Sequence, residues 1–174
     1  RETACAGQPA HLLGLQAAEE WQLADDALDL GQDPLADEGF EHDVGHRFEH
    51  LRDILGSVRT PRRVAACFDT CHVHAAGYDI VTREGWFETI GDFDRTVGLS
   101  RLAAIHVNDS KKPRGSRVDR HQHIGLGTIG RRGFRNLMND PRLAGIPKFL
   151  ETPKDEDTLE QDRRNLAVLR RLAT

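Results

Sequence analysis

With 174 residues the chain can bury one ordinary hydrophobic core, which predicts a single domain. Hydrophobic residues make up 38%, and no apolar run approaches the roughly 18 residues of a membrane span, so a helical membrane protein is excluded and a soluble globular one expected. The net charge of -4 is unevenly spread: residues 9–43 carry ten of the 28 acidic residues and none of the 24 basic ones, leaving 24 basic against 18 acidic elsewhere, a balance that suits a polyanionic partner.

The chain opens Arg1-Glu2-Thr3 without an initiator Met or an apolar signal segment, which predicts a part of a longer gene product. After a small-residue turn at Ala4–Gly7, the spacing of Leu12, Leu15, Trp21, Leu23 and Leu28 predicts a helix from His11 to about Leu30, followed by an acidic loop over 31–43. Helical spacing returns at Phe48–Leu55. A strand at about 63–68 then delivers Asp69 at its end. Thr82 to Val97 reads as a helix through Trp86, Phe87, Ile90, Phe93 and Val97, and 102–107 as the next strand. Residues 108–128 read as a loop rich in Lys, Arg, Gly and His, and Arg131–Met138 as a helix. A strand from Gly145 to near Glu151 and a helix over Asp157–Leu172 close the chain. Cys5, Cys67 and Cys71 are a sparse, odd set, which fits reduced thiols and a cytoplasmic setting.

Alternating strands and helices predict a parallel α/β fold, either a barrel or a doubly wound sheet. Asp, Glu or His stands at or just beyond three successive apolar runs: Asp69 with His72, His106 followed by Asp119 and His121, and Glu151. Singly, each has a plainer reading: a turn-capping Asp69, a satisfied core His106, a solvated Asp119-Arg120-His121 loop, a capping Glu151. In succession they point to a divalent metal held in a barrel mouth, where strand ends build the site. A doubly wound sheet concentrates its site at one switch point and often carries a glycine fingerprint, which is read as absent here. The expected fold is therefore a TIM (β/α)8 barrel. Cys67 and Cys71 are read as buried thiols, and His50, His74 and His123 stay outside the ligand set.

The motifs Asp69-Thr70-Cys71-His72, His106-Val107-Asn108-Asp109-Ser110-Lys111, Gly115-Ser116-Arg117-Val118-Asp119-Arg120-His121, and Gly145-Ile146-Pro147 leading to Leu150-Glu151-Thr152 resemble the endonuclease IV (deoxyribonuclease IV) family. Glu2-Thr3 with Ala6-Gly7-Gln8 resembles a further motif of that family, one residue more widely spaced. The resemblance covers residues 1–8 and 44 to the end. It implies a zinc-dependent apurinic/apyrimidinic endonuclease of DNA base excision repair on a TIM barrel. Such an enzyme hydrolyses the phosphodiester 5′ to an abasic site and leaves a 3′-hydroxyl. It further implies three zinc ions per complete site, at most two of which are fully supported by ligands in this chain. Glu2 would bridge two of them, Asp69, His106 and Glu151 would hold the second, and His72, Asp119 and His121 the third, with Glu2, Asp69 and Glu151 as the catalytic set. The implied partner is double-stranded DNA with abasic sites, and no membrane. Lys111, Arg114, Arg117 and Arg120, lying between two ligand motifs, are the expected DNA contacts, Arg117 and Arg120 foremost.

Only roughly the last four strands of that barrel are represented, as one partial domain over 1–174. Residues 9–43 have no counterpart and read as an acidic insertion; removing these 35 residues leaves 139, against about 250 for a complete barrel. Two rival readings remain. A xylose isomerase-like sugar isomerase or epimerase shares the barrel and its carboxylate/His metal sites, but the basic 111–120 loop and the Asp119-Arg120-His121 motif speak against it. The other rival is a non-catalytic half-barrel remnant.

Overall fold

The computed structural model describes residues 45–154 and 159–174, together with the backbone of 11–14. In chain order the elements are β1 (His11–Gly14), α1 (Phe48–Ser57), β2 (Val64–Asp69), α2 (Thr70–Ala75), α3 (Arg83–Thr96) and β3 (Leu102–His106). Then follow β4 (Asp109–Ser110), β5 (His121–Gln122), α4 (Gly130–Met138), β6 (Lys148–Phe149) and α5 (Glu160–Leu172).

β1, β2, β3 and β6 form a parallel sheet in that order, so each new strand is added on the same side of the last. A doubly wound sheet reverses direction once. This one does not, and its helices follow the same progression, α3 packing on α1 and on α4, and α4 on α5. The arrangement is that of consecutive (β/α) units of a barrel, as expected from the sequence. Among the described residues β1 pairs only with β2 and β6 only with β3, so the sheet has two open edges.

Its core lies between the sheet and the helices. α1 turns Phe48, Leu51 and Leu55 inward, and α3 buries Trp86, Ile90 and Phe93 against Phe68 of β2. Burial of each such side chain contributes on the order of 1.5–3 kcal/mol. α3 begins where Thr82 caps it, the hydroxyl accepting from Gly85 N at 3.0 Å. Gly85 is required there, because a Cβ would come 2.4 Å from Asp79 Cγ. Phe87, grouped by spacing with the core residues of α3, instead faces outward, with the Arg83 and Arg142 guanidinium groups over its ring at 5.8 and 5.4 Å.

One irregularity matters for the site. Ala66 pairs with Leu102 but Cys67 pairs with Ala104, so Ala103 is an extra residue, a β-bulge, in β3. The shift brings His106 opposite Asp69; an uninterrupted ladder would place Ile105 there.

Several expectations are corrected. The helix expected from His11 fails at its start, since His11–Gly14 is a strand hydrogen-bonded along β2 in parallel. Pairing with an open sheet edge satisfies that short run better than helical spacing can, and residues 15–44, the rest of the helix and the acidic stretch, lie outside the described residues. The loop over 108–128 contains a two-residue antiparallel ladder between β4 and β5. The last strand is confined to Lys148–Phe149, and the closing helix begins at Glu160. Among the described residues no helix is long and apolar enough to cross a membrane.

Candidate metal centre

Parallel pairing in register does most of the assembly. Asp69, the last residue of β2, is aligned with His106, the last of β3, and His106 with Phe149 of β6, two residues before Glu151. His106 Nδ1 lies 2.9 Å from Glu151 Oε2 and 3.6 Å from Asp69 Oδ2. One donor atom from each of Asp69, His106 and Glu151 falls within 4.8 Å of the others.

A second group is built differently. Asp69 also caps α2, its Oδ1 accepting from Cys71 N at 2.7 Å and His72 N at 3.1 Å, and this fixes His72 in the first turn. Asp119 comes from the loop between β4 and β5, and His121 is the first residue of β5. His72 Nε2 is 2.9 Å from Asp119 Oδ2, His121 Nε2 is 3.2 Å from Asp119 Oδ1 and 4.0 Å from Asp69 Oδ2. Asp69 thus belongs to both groups, and Asp69, His72 and His121 themselves offer donors within 4.8 Å of one another. Six of the seven expected ligands converge; the seventh, Glu2, lies outside the described residues.

The donor set fits a dication. Nε2 of His72 and Nε2 of His121 are buried without a hydrogen-bond partner, although the Asp119 carboxylate lies 2.9 and 3.2 Å away. Nitrogens that close to a carboxylate but not bonded to it share a point of approach with its oxygens, as ligands of one ion do. The second nitrogen of His121 is committed, Nδ1 lying 3.1 Å from the Glu151 carbonyl oxygen; such a bond fixes the tautomer and leaves Nε2 as the ligating atom.

The electrostatics agree. Burial pushes the Asp69 carboxyl up, but the His106, His72 and His121 rings outweigh it and hold it below the usual range. Asp119 is likewise lowered by His121 and His72 against the cost of burial. The Asp69 carboxylate, with Cys67 and Glu151, holds His106 up to about 10. Burial opposes a charge on His121, yet Asp119 and Asp69 bring it to about 9. A field that holds protons on these rings also favours a metal cation in their place. Cys71, raised by burial to about 12, keeps its proton and donates to Asp119 Oδ1 at 3.4 Å, in keeping with its reading as a buried thiol.

The basic loop is pinned rather than free-standing. Gly115 N donates to the His74 carbonyl and Arg117 N to that of Ala75, both at 3.0 Å, with Arg117 in the left-handed region at φ 55. Lys111, Arg114, Arg117 and Arg120 are all exposed. Arg114, however, is engaged by Asp79, Nη1 to Oδ2 at 3.0 Å, which makes it a tether between this loop and the turn before α3.

Sequence reasoning passed over two buried residues. Asn108 bridges Asp69 and Glu151. Asp109 gathers the amides of Ser110, Gly125, Gly127, Ile129 and Gly130. The glycines at 125, 127 and 130 have the spacing of a phosphate-binding loop and lead into α4, a signal the sequence reading missed. Here the amides are spent on an internal carboxylate, and a Cβ on Gly127 would stand 2.3 Å from the Ser110 carbonyl oxygen.

Comparison with known proteins gives the same picture. The family described as xylose isomerase-like TIM barrel matches residues 16–172. "Probable endonuclease 4" of Geobacter sulfurreducens is 54% identical over 129 residues, 74% of this chain and 43% of that protein. The protein of the same name from Chloroflexus aurantiacus is also 54% identical over 129 residues, 45% of its length. The crystal structure of endonuclease IV from Thermus thermophilus superposes with a TM-score of 0.65 at 40% identity, covering 77% of this chain and 46% of that one. The chain therefore spans under half the length of the relatives it matches.

Proposed function

The chain belongs to the xylose isomerase-like TIM barrel family, and from that premise we propose that it is the later part of a zinc-dependent apurinic/apyrimidinic endonuclease of base excision repair. Its substrate is double-stranded DNA, cleaved 5′ to an abasic site to leave a 3′-hydroxyl. The observation that carries the reading is the convergence of Asp69, His106 and Glu151 beside His72, Asp119 and His121. Likeness to proteins named endonuclease 4 supports the nucleic-acid substrate.

In this reading Asp69, His106 and Glu151 would hold one zinc, His72, Asp119 and His121 would hold another, and Glu2 would complete the ligand set. Mixed nitrogen and carboxylate ligation suits catalytic rather than structural zinc. When bound, clustered zinc supplies Lewis acidity toward the phosphate and activates water for hydrolysis. The chain's own residues do the remaining work. Asp69, buried and shared by both groups, keeps them at a fixed separation. The Glu151 carbonyl orients His121. Lys111, Arg117 and Arg120 contact backbone phosphates and so set register rather than sequence preference. Arg114 steadies their loop through Asp79. An abasic nucleotide is the cheapest to swing out, since no base must be unstacked.

The domain is read as one partial barrel over 1–174, with an acidic insertion at about 9–43. A cytoplasmic setting is part of the same reading, supported by the free, buried thiols Cys67 and Cys71. The test is nicking of abasic-site plasmid by the chain in zinc, set against turnover of ketoses. Zinc-dependent nicking without ketose turnover is expected. Ketose turnover without nicking would replace the reading with a sugar isomerase.

A further inference from the structure

We propose that Asn108 is a positioning residue that orients both carboxylates of the strand-end group and thereby sets how tightly that group holds a divalent cation; the inference rests on the metal reading above. Asn108 lies two residues beyond His106 and is fully buried. Its amide spans the ends of two strands. Nδ2 donates to Asp69 Oδ2 at 2.9 Å and to Glu151 Oε2 at 3.5 Å, while Oδ1 accepts from Glu151 N at 2.9 Å. The orientation is forced, because a backbone N–H needs the oxygen and the two carboxylates need the N–H groups.

The residue cannot swing aside. Asn108 N donates to Thr70 Oγ1 at 2.8 Å, and that hydroxyl donates to the Asn108 carbonyl at 2.6 Å. Thr70 follows Asp69 directly, so the tips of β2 and β3 are locked around the amide.

The consequence for ligation follows from counting acceptors. Asp69 Oδ1 is taken by the amides of Cys71 and His72, and Oδ2 receives one N–H from Asn108. Oδ2, the oxygen 3.6 Å from His106 and 4.0 Å from His121, keeps capacity for a cation. Without Asn108 the Asp69 carboxylate could turn about its last bond, and Glu151, half-exposed, would lose one hydrogen bond at its backbone amide and one at its side chain, keeping only its contacts with His106 and His121. Outer partners of metal ligands act in this way.

A purely structural role would show in stability alone, and this decides the test. The full chain is titrated with Co2+, following its visible absorption, and with Zn2+ by calorimetry, as the unaltered protein and as Asn108→Ala and Asn136→Ala. Asn136 is a matched control away from the ligands, its Nδ2 donating to the Val81 and Thr82 carbonyls at 3.1 and 3.2 Å. Asn136→Ala is expected to lower the melting temperature with an unchanged Co2+ titration. Asn108→Ala is expected to weaken one Co2+ equivalent roughly 10–100-fold and to alter its absorption. Should the alanine variant not fold, Asn108→Ser, whose hydroxyl can serve one partner at a time, carries the test with weakening in the same direction. Affinity and absorption unchanged at position 108 overturn the proposal while leaving the metal reading intact. An unaltered chain that takes up neither Co2+ nor Zn2+ overturns both.

Discussion

The two donor groups sit a few ångströms apart and are held by different kinds of structure. Asp69, His106 and Glu151 are at or just beyond the ends of parallel strands, and the ladder that aligns them is the sheet itself, bulge at Ala103 included. His72 and Asp119 depend on a six-residue helix and on a loop attached to it by single hydrogen bonds from Gly115 and Arg117, and His121 on the two-residue β4–β5 ladder. In the first group Asp69 and His106 are fixed by the sheet itself, and Glu151, two residues beyond β6, is tied to them through Asn108. The second can loosen while the core stays intact, because the loop buries little apolar surface. Similar donor sets are thus built once on the ends of parallel strands and once on a part whose geometry must be maintained by local contacts.

The sharpest way to break this comparison is at the residue both groups share. Asp69→Ala is expected to abolish nicking of abasic-site DNA and to empty both groups of zinc, read by metal analysis of the purified chain. It also removes the α2 cap, worth about 0.5–2 kcal/mol. Full zinc content with near-normal nicking would show that the strand ends do not carry the chemistry. Next in size is Asp119→Ala, which removes a donor from the loop group only. One zinc equivalent is expected to be lost, the other retained, with the far-ultraviolet dichroism unchanged. Simultaneous loss of both equivalents would mean that the two groups act as one unit rather than on separate supports. Chelator treatment of the unaltered chain should stop nicking, and added zinc should restore it; activity that persists in chelator excludes metal assistance altogether.

The same contrast explains what could be read from the sequence. Val64–Asp69 and Leu102–His106 are short apolar runs ending in a donor, and period and composition alone identify them. α3 was equally plain from its apolar spacing. The loop group was assigned through resemblance, since Asp119-Arg120-His121 by itself is indistinguishable from a solvated charged turn. β1 was missed because a four-residue strand at a sheet edge gets its stability from the partner's hydrogen bonds, which leave no trace in local spacing. The β4–β5 ladder is too short to have a period. Asn108 and Asp109 were invisible as functional groups because their roles lie in whom they touch after folding, across 43 residues to Glu151 in one case and 21 to Gly130 in the other.

The smallest expected effect separates residues within the basic loop. Lys111, Arg117 and Arg120 are read as phosphate contacts, and each such contact releases condensed counterions from the duplex, so that log affinity falls with log salt in proportion to their number. Arg117→Ala or Arg120→Ala should therefore weaken binding to any DNA sequence and reduce the salt slope by about 1 each. Arg114 carries the same charge on the same loop but meets the Asp79 carboxylate at 3.0 Å, and that carboxylate is held down to about 2, against the cost of its burial, by Thr82, the Val81 amide and Arg114 itself. A guanidinium already neutralised by a neighbouring carboxylate displaces few counterions. Arg114→Ala is expected to leave the salt slope unchanged and to lower affinity only slightly, because a half-exposed pair contributes about 0–1 kcal/mol. DNA-binding titrations of the three variants across salt concentrations decide between tether and contact: a slope reduced by about 1 in Arg114→Ala would return Arg114 to the DNA-facing set.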